Sequence, residues 1–557
     1  MHEAPRSTSS GASGASLLVA PFTASPLHRV VFLAVACFSF ALLWSDYSGY
    51  WLDDAFITFR YAKHLAMGLG PVFNSAERVE GYTSFLWMLF AALPLAVSSV
   101  ATSLASYKAF ALLVSLWMLF RVVRFPSPGP GETTRVFVVV LACQPIFILN
   151  CGDGMETPLL MLLMLETALA LQRAPTTRNG GLCGALVAAM VWTRPEALPF
   201  LAAAPALIAV AYRGSGRSVR GWMSGFVLAA GVPIAGQEIF RVLYYGALWP
   251  NTFYAKATGD LLARLSRGGV DFGRFFFANP WSPPAALWVM SVLALIATWR
   301  VRAQLVAKHA STLCWFGALW LMIVFRVSFD IWSGSDTMGR HRFLAPLIVP
   351  LAILADEGAR MLWRGRARFV VAAAFVLAIG FNVSGHTVHV ATTRPYAEGL
   401  ERAHVALGGW LRESQPRDAL LAIADAGAVP FFSELETVDL WGLNDATIAR
   451  LPGEYGERPG MVDYVMQRDP DLIVLWNQRP FLDASGGDAT SGTQGKLLGG
   501  QALDHAIATD ARFRARYRFV REFVFREERT NFPGYYLDVF ERRATPRTTP
   551  PATGPDS

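Results

Sequence analysis

The sequence predicts a polytopic α-helical membrane protein with a polar α/β domain toward its C-terminal end. Three observations point there. Of the 557 residues, 53% are hydrophobic and only 16% charged, whereas soluble domains carry roughly 25% charged residues. Apolar runs of membrane-crossing length recur up to about residue 385, and most of the later chain is polar. Arginines gather in short segments between those runs, so the formal charge of +7 reports topology rather than nucleic-acid binding. Together these exclude a soluble cytoplasmic enzyme, a disordered regulator and a disulfide-stapled secreted domain. The five cysteines, at 37, 143, 151, 183 and 314, lie in or beside apolar runs without metal-like spacing.

A span needs about 20 mostly apolar residues. Eleven segments qualify, with soft boundaries: 29–47, 103–122, 135–150, 157–172, 180–193, 197–212, 222–244, 283–299, 310–331, 343–358 and 367–385. The loops around 121–135, 173–178, 213–220, 300–308 and 360–368 are short and basic, which places them in the cytoplasm. Segments 48–102, 151–156, 194–196, 245–282 and 332–342 then face outward, with everything after 386. Residues 84–100 are apolar enough to cross, but a crossing there would invert every later basic loop. They are read as a juxtamembrane or re-entrant element, which leaves the N-terminus inside and the C-terminus outside.

The chain thus divides into a disordered cytoplasmic N-terminus (1–28), a transmembrane domain (29–385) with a long acidic first loop (48–102), an extracytoplasmic α/β domain (386–542) and a frayed Pro/Thr-rich tail (543–557). In the α/β domain, 419–424, 472–476, 517–526 and 535–541 read as strands, and 397–413 and 460–468 as helices.

Chemistry concentrates in the outward loops. Asp53 and Asp54 follow the first span, and the helical spacing of 55–66 is amphipathic, as for a helix lying on the membrane surface. The same loop brings Glu77, Arg78, Glu80 and Tyr82. Asp153 and Glu156 flank Gly154 in the small second loop, where ionisable residues are costly and functional suspects. Thr157-Pro158 and Pro195 equally mark plain helix starts. Arg194 and Glu196 stand in the third loop, Tyr245 and Lys256 in the fourth, and Asp336, Arg340, His341 and Arg342 in the last. Carboxylates accept from sugar hydroxyls, arginines bind phosphate, and aromatic rings pack on sugar faces. A substrate with hydroxyls, a phosphate and a lipid tail suits this mixture.

The stretches 53–60 (DDAFITFR), 72–84 (VFNSAERVEGYTS) and 152–157 (GDGMET), with Asp336 and Arg340, carry a resemblance. The sequence resembles GT-C-fold glycosyltransferases that use polyprenyl-phosphate sugars, and among them the mycobacterial terminal β-1,2-arabinofuranosyltransferases. The stretches 424–430 (ADAGAVP) and 439–445 (DLWGLND) look like that family's outward domain, although both also suit ordinary α/β strand-end turns. The chain departs from the pattern at Ser335, where Gly is expected before Asp336, and in His341 between Arg340 and Arg342.

The resemblance implies a multi-pass protein of the bacterial cytoplasmic membrane. It would move a sugar, arabinofuranose by the same resemblance, from a polyprenyl-phosphate donor to a cell-envelope glycan or glycolipid acceptor at the outer face, in contact with membrane lipid and without nucleic acid. Asp53 or Asp54 would deprotonate the acceptor hydroxyl, or act as nucleophile if the anomeric configuration is retained. Arg194, Lys256, Arg340, Arg342 and Tyr245 are candidates to hold the donor phosphate. Glu80, Tyr82, Asp153, Glu156 and Asp336 are candidates for acceptor or sugar contacts. The sequence does not decide on a cofactor; a divalent ion at Asp53, Asp153 and Glu156 stays open. The rival readings are a transporter or flippase of lipid-linked sugars, which should carry midplane sites and internal symmetry, and a non-enzymatic glycan-binding assembly protein, which leaves the paired Asp unexplained.

Overall fold

A computed structural model describes residues 26–128, 134–257, 260–277, 284–307, 309–335, 341–478, 502–527 and 534–543. Asp336 and Arg340 lie outside the described residues, as do the expectations for residues 1–25 and for the tail from 544. The chain forms two compact units. The first gathers Met1–Ser48, Tyr107–Gly236 and Leu261–Ala391; the second gathers Gly49–Ser106, Gln237–Asp260 and Thr392–Ser557.

Among the described residues, six helices are long and apolar enough to cross a membrane: Pro26–Tyr47, Val100–Val123, Arg220–Tyr245, Ala285–Val306, Ala310–Ser333 and Ala367–Ser414. A seventh crossing would join Pro145–Gly152 and Thr157–Leu171, which meet at 113°. All eleven apolar segments are mainly helical, but eleven full-length crossings are not reached. The shorter helices are apolar for another reason. Every residue of Pro145–Gly152 is buried, and so is Ile348–Leu362 from Ile348 to Ala359. Their side chains fill protein interior rather than meet lipid.

Glycine sets the closest helix packing in the first unit. Gly180 and Gly184 on Thr177–Thr193 face Gly221 and Gly225 on Arg220–Tyr245. A Cβ at Gly180 would sit 2.0 Å from the Trp222 carbonyl oxygen, and one at Gly225 2.2 Å from that of Thr177. Two small-xxx-small pairs therefore bring backbones into contact, the usual way helices associate without a hydrophobic driving force.

The second unit is built on a five-stranded sheet. Its strands are β1 (Leu420–Ile423), β2 (Glu436–Asp439), β3 (Leu472–Asn477), β4 (Tyr517–Arg526) and β5 (Tyr535–Arg542), in spatial order β2-β1-β3-β5-β4. β2, β1 and β3 are parallel; β5 and β4 add antiparallel. One face carries a core that includes Ala422, Val438, Ile473, Leu475 and Phe540, with Ile507 from the helix Ala502–Thr509. The strand β2 was not expected from the sequence, being four residues long with two acids.

The first loop belongs to this unit, and here one expectation is corrected. Asp53–Ala66 is a helix, but nine of its residues are buried and it does not lie on a membrane surface. Phe56 packs against Phe431 and Phe432 at 5.4 and 5.5 Å between ring centroids. The apolar face that suggested lipid is covered by protein. Arg60 fixes the arrangement: Nε donates to the Phe73 carbonyl at 2.7 Å, and the two terminal nitrogens donate to the carbonyls of Pro430 and Leu435. Asn74 adds a two-way backbone pair with Thr437 at 2.9 and 3.0 Å. The helix Phe85–Val97, with Pro94 inside it, has 13 residues and is shorter than a crossing requires.

Candidate active site

In the second unit Asp53 opens its helix and is buried, with 9% of its surface exposed. Its Oδ1 accepts from the Ala428 N–H at 2.8 Å. Gly427 makes this possible, because a Cβ there would fall 2.4 Å from Asp53 Oδ2. Asp425 belongs to the same loop, which follows β1. Its Oδ2 accepts from His404 Nε2 at 2.9 Å and from the Tyr535 hydroxyl. Burial pushes the Asp53 carboxyl up to about 6, with His404 pulling it down and Asp425 and Asp54 pushing it further up. For Asp425 burial also acts upward, but the bond and charge of His404 and the bond from Tyr535 outweigh it and hold this carboxyl below the usual range. Two carboxylates on adjoining backbone are thus driven apart in basicity.

The other expected residues of this unit are occupied by protein partners. Glu80 holds Arg241 through both oxygens, at 2.6 and 3.3 Å. Tyr82 and Tyr245 share a hydroxyl–hydroxyl bond at 3.1 Å, and Tyr245 donates to the Pro71 carbonyl at 2.6 Å. These contacts brace the first loop. Lys256 ends the helix Asn251–Lys256 with its ammonium 5.7 Å from the Tyr455 ring centre, and that ring stacks on Trp441. Asp54, half-buried, also acts on Tyr455 through its charge.

In the first unit the structure brings four expected residues together. Asp153 sits at the break between Pro145–Gly152 and Thr157–Leu171, and its Oδ1 accepts from the Met155 N–H at 2.9 Å. Arg342, Glu156 and Lys108 are the nearby charges that act on it. Glu156 Oε1 accepts from Arg194 at 2.8 Å, and Arg194 Nε donates to Glu196 at 2.7 Å. Arg326 reaches the same Glu196 oxygen at 3.3 Å. Glu156 Oε2 is buried with no hydrogen-bond partner among the described residues. Arg342 is buried beside the Phe343 ring, 5.6 Å from its centre. His341 turns the other way, with Nδ1 3.1 Å from Asp271. Ser335 has φ of +74°, the left-handed region where the family pattern places glycine.

Sequence reasoning did not name Lys108, Arg326, His404 or Tyr535. Lys108 and Arg326 carried a usable signal, since each is a charge inside an apolar run. His404 and Tyr535 carried none, although Asp425 lay in a quoted motif. Asp53 stands in a different unit from Asp153 and Glu156. Among the described residues no three His, Cys, Asp or Glu side chains form a group able to hold a metal ion.

Comparison with known proteins bears on fold. The archaeal oligosaccharyltransferase AglB from Archaeoglobus fulgidus, solved with an inhibitory peptide and a dolichol-phosphate, superposes with a TM-score of 0.55 at 11% identity, covering 92% of this chain and 88% of that one. The fold is GT-C. Two curated proteins are similar in sequence to this GT-C chain. The terminal beta-(1->2)-arabinofuranosyltransferase of Mycobacterium tuberculosis is 27% identical over 285 residues, 48% of this chain and 43% of its own length. Its namesake from Corynebacterium glutamicum is 28% identical over 291 residues, 46% of this chain and 39% of its own. The match spans less than half the length of these relatives. Residues 392–540 match a family described as Domain of unknown function (DUF8728). The chain resembles terminal arabinofuranosyltransferases over that stretch.

Proposed function

We propose that this chain is a membrane glycosyltransferase that moves a sugar from a polyprenyl-phosphate donor to a cell-envelope glycan or glycolipid at the outer face of the bacterial cytoplasmic membrane. Arabinofuranose is the sugar that the named relatives favour. The observation that carries the reading is Asp53: a buried carboxylate on the first-loop helix, in a GT-C fold, with no guanidinium bound to it among the hydrogen bonds described. A carboxylate raised toward neutral pH is suited to accept a proton from an attacking hydroxyl. Asp53 would take that proton in an inverting transfer, or attack the anomeric carbon in a retaining one. Asp54 is the alternative base. Arg194 and Arg342, with Lys256 and Arg340, would offset the charge that grows on the departing phosphate.

In this reading 386–542 and the loop 48–102 face outward and the N-terminus faces inward. A transporter of lipid-linked sugars keeps one supporting observation, the helix broken at Asp153 and Glu156, a feature of transporter binding sites. A transfer assay separates the two. The purified full chain is offered a panel of polyprenyl-phosphate sugars and a glycan acceptor in detergent, with no sealed compartment. Glycan product supports the enzyme. No product from any donor, together with donor translocation in sealed proteoliposomes, supports the transporter.

A further inference from the structure

We propose that the helix Leu261–Phe277 lies along the membrane interface, where Arg267 and Arg274 hold the anionic headgroup of a bilayer phospholipid. The inference concerns the first unit alone and does not depend on the reaction assigned to the chain.

The residues of this helix sort into strips. With 17 residues and the charges Arg264, Arg267, Asp271 and Arg274, it is too short and too polar to cross a bilayer. Its inner strip lies on protein. Gly268 is buried, and a Cβ there would fall 2.5 Å from the Ile331 backbone, so the helix rests directly on Ala310–Ser333. Phe275 is buried on the same side, with its ring centre 5.5 Å from that of His341. The opposite strip, read at helical spacing, is Leu262, Ser266, Val270 and Phe277. All four are exposed, Leu262 by 72% and Phe277 by 65%. Arg267 and Arg274, also exposed, run along one edge of that strip. Asp271 is turned back toward His341, at 3.1 Å. An apolar outer face with arginines along its edge is the pattern of a helix lying in the headgroup region.

A second observation sets the level. Trp288 and Trp332 stand near the ends of two apolar helices long enough to cross, Ala285–Val306 and Ala310–Ser333. They are 41% and 45% exposed, and both touch the interfacial helix. Trp288 Nε1 donates to the Phe276 carbonyl at 2.9 Å, and its ring centre lies 5.0 Å from that of Phe277. The Arg264 guanidinium lies 5.6 Å from the Trp332 ring centre. Tryptophans at the ends of spans mark the headgroup level. Beyond Trp288 the same helix exposes Val292, Leu295 and Trp299 at helical spacing, the side a crossing helix turns to lipid. Through Phe277 and Trp288 the outer strip therefore joins a lipid-facing surface. At that level Arg267 and Arg274 meet phosphate oxygens, which a guanidinium binds in pairs.

Spin labels test the placement in the full chain, reconstituted in phosphatidylcholine nanodiscs. Leu262→Cys, Val270→Cys and Phe277→Cys are labelled one at a time, with the unsubstituted chain as the blank for native thiols. Collision with oxygen, which concentrates in lipid, is compared with collision with a water-soluble nickel chelate. All three positions should favour oxygen. Chelate access equal to that of a label at exposed Glu454 would overturn the placement. Low access to both reagents would overturn it too, as the sign of a protein partner or a second copy on this face. If Phe277→Cys does not fold, the other two positions decide. The headgroup is tested by titrating phosphatidylglycerol or phosphatidylcholine into the chain in detergent and reading adducts by native mass spectrometry. The native chain should bind phosphatidylglycerol more tightly. Arg267→Gln and Arg274→Gln should each weaken its first adduct about fivefold, and the corresponding lysine variants should keep most of it. Equal binding of the two lipids, or an unchanged Kd in the double glutamine variant, would overturn the headgroup assignment.

Discussion

Asp53 and Glu196 each stand in the first turn of a helical element just outside an apolar run, yet their surroundings differ in kind. Glu196 receives two guanidinium groups, from Arg194 and Arg326. Asp53 receives one backbone N–H, with its counter-charge one step away on His404. A carboxylate gripped by two arginines is a poor proton acceptor, but it holds those arginines in place. A buried carboxylate without such a grip stays basic. The two acids thus differ in what they can do: under the proposed function Asp53 would accept a proton, whereas Glu196 holds two arginines.

Substitution should separate the roles. Asp53→Asn keeps the Ala428 bond and removes the basic group, so transfer should fall by two or more orders of magnitude, measured as product formed by purified protein. Its thermal stability should not fall, because ionised Asp53 is the disfavoured form in the folded state. Glu196→Gln should behave in the opposite manner. It leaves buried Arg326 short of counter-charge and Arg194 with Glu156 alone, and should cost about 3 kcal/mol of stability. Thermal unfolding in detergent checks this. Equal stability losses in the two variants would erase the contrast.

The pH dependence sharpens the same contrast. Asp53 must be ionised to act, so the transfer rate should drop as pH falls through about 6. Stability runs the other way. The folded carboxyl binds its proton more tightly than the unfolded one, whose value is near 3.8. The folded state therefore holds extra proton between 3.8 and about 6, and stability declines as pH rises through that window. Asp53→Asn should remove that slope, and Glu196→Gln should leave it.

Much of this was legible in the sequence, and the remainder has physical reasons for being hidden. Asp153, Glu156, Arg194 and Arg342 were marked by charge beside apolar runs, and the fold gathers them because their loops share one unit. Glu80, Tyr82 and Tyr245 were marked on the same ground, and the structure pairs Glu80 with Arg241, Tyr82 with Tyr245, and Tyr245 with the Pro71 carbonyl. Composition cannot distinguish a polar residue kept for a ligand from one kept for a loop. The amphipathic helix from Asp53 misled for a related reason: periodicity shows that a face is covered, not whether lipid or Phe431 covers it. His404 and Tyr535 reach Asp425 from distant segments of the chain, beyond any local pattern.

A smaller effect follows from Ser335. A non-glycine residue at φ +74° carries a penalty of about 1 kcal/mol. Ser335→Gly should raise the unfolding temperature slightly, and Ser335→Val should lower it. No change in either variant would mean that the left-handed turn is not populated in solution.

Under the proposed function Asp53 is the reacting carboxylate of a polyprenyl-phosphate-sugar transferase. The most direct measurement is single-turnover transfer from a radiolabelled polyprenyl-phosphate arabinofuranose to a glycan acceptor, comparing the native chain with Asp53→Asn at pH 7.5. Donor binding is followed on the same samples. The account predicts bound donor in both proteins and at least about a hundredfold slower transfer in the variant. Equal transfer rates with equal donor binding would contradict it.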